Sequence, residues 1–236
     1  MTIDPTRDAA MKAIRDSFSD PGHVARYAEG PRRFVPGLAD LHRMTAQLLA
    51  ERVPDDAHIL VLGAGGGLEL KALAALHPGW RFTGVDPAPA MLELARQTLG
   101  DAVSRVTLVE GYIEDAPEEP FDGAVCLLTL HFLDAAERIG TEAGIHRRLK
   151  RGAPFVAAHS SFPQGDARPL WLSRYTSYAL GSGADPETVE KMRAGVEGAL
   201  CLYDPARDEE MLREAGFRDV QMFYAAFTWR GWVAYA

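Results

Sequence analysis

From His58 onward the chain alternates short apolar runs with segments of helical period: HILVLG, then a helix to Leu76; WRFTGVD, then a helix to Leu99; RVTLVEG; FDGAVCLLTLHF, then a helix to Leu149; and APFVAAHS. Runs that are apolar at consecutive positions suit strands buried on both faces. Strand-helix-strand alternation suits a parallel sheet joined by crossover helices. The order predicts an α/β fold, a doubly wound Rossmann-like sheet that is mostly parallel. Punctuation agrees: Pro89 can open a helix whose Met91, Leu92, Ala95 and Leu99 face inward, and Gly100 can close it.

The flanks of this alternation carry their own signals. Two helices are expected ahead of it, from about Asp8 to Phe18 and from about Val35 to Glu51, before the turn Val53-Pro54-Asp55-Asp56. Leu38, Leu41, Met44, Ala46, Leu48 and Leu49 give the second an apolar stripe, which suits either packing against the sheet or a lid over a ligand. Residues 1–54 thus read as an N-terminal helical cover and residues 55–236 as the main domain. After Ser160 the alternation breaks into an insertion, residues 162–202, with helices expected around Leu170–Ala179 and Pro186–Leu200. An insertion after the fifth strand is placed to cover the carboxyl end of the sheet, where open α/β sheets bind ligands. A helix near Asp208 to Ala215 stops at Gly216. Then DVQMFYAA and FTWRGWVAYA follow with almost no turn between them, which predicts an antiparallel C-terminal strand.

With 236 residues, 47% of them hydrophobic, the chain can bury one large core without disulfides or metals. Its formal net charge of -8 argues against a polyanion as main partner, because phosphate contacts supply most nucleic-acid affinity. A small molecule is the default. Cys126 and Cys201 sit in apolar surroundings without metal-ligand spacing and read as reduced thiols; no metal site is expected. The stretch MTIDPTRDAAMKAIRDSF lacks the apolar core of a signal peptide, and no segment approaches the roughly 20 apolar residues that span a bilayer. The expectation is a soluble, cytoplasmic protein without a membrane partner.

HILVLGAGGG puts a strand directly before Gly63, Gly65 and Gly67 and a helix, from about Leu68, directly after. Such a turn needs backbone dihedrals and close ligand approach that a Cβ obstructs. Asp86, the last residue of WRFTGVD, follows about twenty residues later, where a carboxylate at the tip of the second strand can accept ribose hydroxyls. Dinucleotide sites usually carry GxGxxG, but the third glycine position here is Leu68 and the spacing is GxGxG.

With these motifs the sequence resembles the class I S-adenosylmethionine-dependent methyltransferases, whose first motif is an apolar run followed by GxGxG and whose second ends in an acidic residue; DPAPAMLELA is similar to that family as well. The likeness covers residues 55–236. It implies S-adenosyl-L-methionine as cofactor, held by Gly63, Ala64, Gly65 and Gly67. Gly63 and Gly65 would approach the methionine portion, Asp86 would hold the ribose, Pro87 and Met91 would flank the adenine, Ile113 would pack on it, and Leu128 would lie beside the sulfonium arm. Tyr112 stands where many relatives carry an aspartate for the adenine amino group, and Asp115 replaces it only if the loop folds differently.

Within that family RRFVPGLADLHRMTAQLLAE, LTLHFLDAAER and VEKMRAGVEGALCLYDPARDEEMLREAGF are similar to the carboxy-S-adenosylmethionine synthases of the tRNA wobble-uridine pathway. Arg193 falls where those synthases pair an arginine with the added carboxylate; its other reading is a solvated position in the run Glu187, Glu190, Lys191, Arg193, Glu197. The chain departs from them in its GAGGG turn and in Leu127, where they have asparagine. The resemblance therefore implies a methyltransferase acting on a small molecule, a synthase using a carboxylate donor such as prephenate, or a non-catalytic cofactor-binding protein. A homodimer is implied too.

Methyl transfer is an in-line displacement for which positioning is the main requirement, and a base helps only if the acceptor must lose a proton. The candidates are His131, just after the fourth strand, and His159, just after the fifth; packing is the alternative for each. Tyr178, Tyr203, Tyr175 and Trp171 read as walls of the acceptor pocket.

Overall fold

The structure, a computed structural model, describes residues 30–236 together with Asp16, Phe18, Asp20 and Gly22. The first expected helix, about Asp8 to Phe18, lies outside the described residues except for Asp16 and Phe18. The elements are α1 (Gly30–Phe34), α2 (Leu38–Ala50), β1 (His58–Leu62), α3 (Leu68–Leu76), β2 (Arg81–Asp86), α4 (Pro89–Leu99), β3 (Val106–Glu110), β4 (Gly123–Leu127), α5 (Ala135–Arg147), β5 (Pro154–Ser160), α6 (Arg168–Gly181), α7 (Pro186–Gly198), α8 (Pro205–Glu214), β6 (Arg218–Ala226) and β7 (Trp229–Tyr235).

The seven strands form one sheet in the order β3-β2-β1-β4-β5-β7-β6. β1 to β5 are parallel, and β7 runs antiparallel to both neighbours. This is the mostly parallel, doubly wound sheet with an antiparallel C-terminal strand that the alternation predicts. The consecutive apolar residues of the central strands divide between two cores. Ile59, Val61, Val125, Leu127, Val156 and Ala158 face one side with residues of α2, α3, α6 and α7. Leu60, Leu62, Ala124, Cys126, Phe155 and Ala157 face the other with Ile145 of α5 and Leu212 of α8. Each such buried Leu, Ile, Val or Phe contributes about 1.5–3 kcal/mol relative to exposure.

Several boundaries differ from expectation. α2 begins at Leu38 rather than Val35, because Gly37 adopts a left-handed backbone (φ 65°) and splits off α1 as a separate turn. α2 packs in the flanking layer, with Leu49 against Gly123 of β4. The run FDGAVCLLTLHF yields only a five-residue strand. Leu128 turns left-handed (φ 57°) and a short 3-10 turn, Leu130–Phe132, follows. The insertion helices and α8 are found within three residues of the expected bounds. Among the described residues no helix is long and apolar enough to cross a membrane.

Candidate active site

β1 lies between β2 and β4, so the chain leaves β1 and β4 toward opposite halves of the sheet. A crevice opens beyond the carboxyl ends of strands at such a reversal. Gly63, Gly65 and Gly67 follow β1 at this reversal with φ of 74°, 46° and 77°, a region that disfavours side chains. The amides of Gly63 and Ala64 donate to the Val85 carbonyl (2.8 and 3.0 Å), tying the turn to β2. A Cβ on Gly63 would collide with the Thr129 hydroxyl, and one on Gly67 would come 3.0 Å from the Ala95 Cα of α4. Opposite, the Leu128 amide donates to the Ala158 carbonyl at 2.6 Å, which holds Leu128 in its left-handed conformation. That conformation costs about 1–2 kcal/mol for a residue with a Cβ.

Asp86 ends β2 beside the turn. One carboxylate oxygen accepts from the Gly65 amide and the other from the Ala88 amide, both at 2.9 Å. Burial raises its pKa, opposed by these two hydrogen bonds. A carboxylate has about four acceptor sites, so two remain for a ligand. In the first turn of α3, Glu69 is buried as well, and no ion pair reaches it among the described residues. Burial, with a smaller contribution from Asp86, pushes its pKa up to about 8. Two buried carboxylates beside a glycine turn fit a ligand with a ribose and positive charge. S-adenosylmethionine carries a sulfonium and an ammonium, so the donor set here fits it.

The remaining expected cofactor residues are distributed less uniformly. Pro87 is exposed and Met91 is buried on α4. Tyr112 is 56% exposed. Its amide donates to the Asp115 carboxylate at 2.8 Å, so that carboxylate caps the loop. Ile113 is buried against Gly144 of α5. Phe18 meets Phe132 edge-on with ring centroids 6.2 Å apart, which brings Phe18 to the carboxyl end of the sheet.

The two histidines lie deeper than a solvent-facing base. His131 is buried, and its Nδ1 accepts from the Ser160 amide at 3.2 Å. Burial, then the neighbouring His159 and Arg138, hold its pKa well below the usual value, so the ring is neutral. His159 Nε2 stands 3.2 Å from Asp208 Oδ1 and 3.3 Å from Arg138 Nη1. Arg138 itself pairs with Asp208 and donates to the Cys201 carbonyl at 2.8 Å. Burial lowers the His159 pKa despite Asp208 beside it. This cluster joins α5, β5 and α8 to the end of the insertion. Arg138, Asp208, Glu142 and Thr129 were not singled out from the sequence; for Arg138 and Glu142 the only available signal was a charged pair four residues apart on the inward face of a helix.

Among the expected acceptor residues, Arg193 is on the exposed face of α7, paired with Glu190 (2.5 Å) and Glu197 (2.7 Å). This is its solvated alternative. Tyr178 rests on Phe227 with centroids 5.6 Å apart. Tyr203 lies under the Arg138 guanidinium at 4.9 Å, and its carbonyl accepts from the Phe162 amide and the Ser161 hydroxyl, both at 3.3 Å. The two ends of the insertion are thereby joined.

Residues 60–155 match the family described as methyltransferase domain. The chain is 28% identical to the carboxy-S-adenosyl-L-methionine synthase of Chromohalobacter salexigens, over 97% of this chain and 88% of that one. It is 24% identical to the enzyme of the same name from Klebsiella pneumoniae, over 97% and 96%. Among solved structures it is similar to PigF with SAH (TM-score 0.66, 18% identity, 98% of this chain and 69% of that one). It is also similar to human N-acetylserotonin methyltransferase in complex with SAM (TM-score 0.58, 20% identity, 97% of this chain and 65% of that one).

Proposed function

We propose that this chain is a class I S-adenosylmethionine-dependent methyltransferase, a reading supported by its match to the methyltransferase domain and by its relatives, and that it methylates a small molecule held between the ends of β4 and β5 and the helices α6 and α7. The supporting observation is the glycine turn at the β1/β4 reversal, with left-handed Gly63, Gly65 and Gly67 beside buried Asp86 and Glu69. Asp86 and the amides of the turn would hold the cofactor's ribose and methionine ends, Glu69 would offset its positive charge, and Leu128 would border the transferring carbon. Bound there, S-adenosylmethionine supplies a methyl carbon already activated by its sulfur. The chain's own task is then to orient the acceptor and exclude water. His131 and His159, neutral and held by Ser160 and Asp208, support the wall of the acceptor site in this reading. A screen of small-molecule acceptors with methyl-labelled cofactor tests it, and transfer to an acceptor that disappears in Asp86→Ala is the expected result. Failure of every acceptor together with release of a carboxylated cofactor would overturn it.

That last outcome belongs to a second reading, favoured by the curated relatives that span nearly the whole chain: a carboxy-S-adenosylmethionine synthase using a carboxylate donor. Mass spectrometry after incubation with S-adenosylmethionine and prephenate separates the two. The engagement of Arg193 by Glu190 and Glu197 counts against this reading, since the added carboxylate would have to displace both.

A further inference from the structure

Arg230, the second residue of β7, is only 9% exposed. Its Nη1 donates to the main-chain carbonyls of Phe227 (2.6 Å) and Trp229 (2.7 Å), and its guanidinium carbon lies 5.4 Å from the ring centre of Trp171 on α6. The exposed Arg174 stacks on the same ring at 4.6 Å. Among the described residues neither arginine meets a carboxylate. Arg193, Arg207 and Arg213, all more exposed than Arg230, are each ion-paired. A buried cation without a counter-charge is costly, and burial works against the charge of Arg230. Arg230, buried, and Arg174, exposed, on one ring in a chain of net charge -8 mark a place where an anion would be stabilised.

Position gives this place a role. The register pairs Arg230 with His159 and Trp229 with Ser160, which sets Arg230 at the carboxyl end of β5, on the far side of β4 from the glycine turn. Trp171, whose ring Arg230 meets, and Phe227, whose carbonyl Arg230 bonds and whose ring meets Tyr178, place aromatic side chains at that end of the sheet. We propose that Arg230, assisted by Arg174 across the Trp171 ring, is a specificity-determining subsite for a carboxylate on an aromatic acceptor. Guanidinium groups bind carboxylates through paired, charge-assisted hydrogen bonds, and the Nε and Nη2 groups of Arg230 make none within the described residues. The proposal rests on the reading of a small-molecule acceptor and narrows it.

The test is a titration of the full chain, with and without saturating S-adenosylhomocysteine, with benzoate, phenylacetate and 3-phenylpropionate, each beside its neutral amide, and with phenyl phosphate. At least one carboxylate should bind about tenfold or more tightly than its amide. Arg230→Gln should abolish that ratio and leave the affinity for S-adenosylhomocysteine unchanged, while Arg230→Lys should restore part of it. Arg174→Gln, a surface change that folding tolerates, should lower the ratio by a few-fold. Equal binding of acid and amide by the parent, or a ratio that survives Arg230→Gln, overturns the subsite. Phenyl phosphate binding more tightly than every carboxylate overturns the carboxylate assignment in favour of a phosphate. Failure of S-adenosylhomocysteine to bind the parent counts against the cofactor reading alone, because the ratio without it still tests the subsite.

Discussion

Asp86 and Glu69 occupy similar surroundings and predict different behaviour. Asp86 already accepts two amide hydrogen bonds, which oppose the rise that burial gives its pKa and pre-orient the carboxylate; Asp86→Ala removes charged hydrogen bonds worth about 1.5–3 kcal/mol each and should weaken S-adenosylhomocysteine binding by at least about tenfold in calorimetry. Glu69 has a pKa raised to about 8 by burial. A raised carboxyl pKa means that the folded protein holds a proton the unfolded chain has lost, so this group favours folding below its ordinary pKa of 4.5 and loses that contribution as pH rises toward 8. A bound cation reverses the preference by favouring the ionised form. Affinity for S-adenosylmethionine should therefore rise between pH 6 and 8, by up to about tenfold per unit, and the slope should vanish in Glu69→Gln. A pH-independent affinity in the parent would remove Glu69 from the site. Asp86 was legible in the sequence because its position at the tip of a strand follows from chain order. Glu69 was not, because LELKALAAL reads equally as a helix with its acidic residue in water, and only the tertiary packing buries it.

At the scale of elements, the contact of Gly67 with the Ala95 backbone sets how closely α3 and α4 approach. Gly67→Ala combines a left-handed backbone with that contact and should destabilise the fold by about 1–3 kcal/mol, read as a lower denaturation midpoint. The buried cluster of α5, β5 and α8 makes a sharper prediction. Arg138→Met leaves Asp208 buried without its main cation and should cost about 3–5 kcal/mol, whereas Arg138→Met with Asp208→Leu should cost clearly less than the sum of the single changes. Additive losses would mean that the pair is not coupled. Helices and strands were legible to within a few residues where apolar period and proline or glycine punctuation agree. Boundaries slipped where a left-handed residue interrupts a uniform apolar run, as Leu128 does within GAVCLLTLHF, because periodicity carries no signal for backbone handedness. His159 and Arg193 show the same limit for side chains. Sequence position assigns both to their elements, but their partners, Asp208 and Arg138 for one and Glu190 and Glu197 for the other, decide how each is engaged.

For the whole molecule, the doubly wound order follows from the sequence because the central strands β1, β4 and β5 are almost wholly apolar and helices join β1 to β2, β2 to β3 and β4 to β5. The acceptor does not, because the insertion that covers β5 is built from helices whose sequence specifies packing more strongly than chemistry. A ligand bound across β1, β2 and β4 stabilises the fold as a unit. At one hundred times its dissociation constant it should add about 2.7 kcal/mol and raise Tm by about 5–10 °C for a chain of this size. The most direct test of the central claim is a calorimetric titration of S-adenosylhomocysteine into the parent and Asp86→Ala proteins, with NAD as the competing ligand. The account predicts saturable one-to-one binding to the parent, a loss of at least about tenfold in the variant and no binding of NAD. Binding of NAD alone, no binding at all, or equal affinity in both proteins would contradict it.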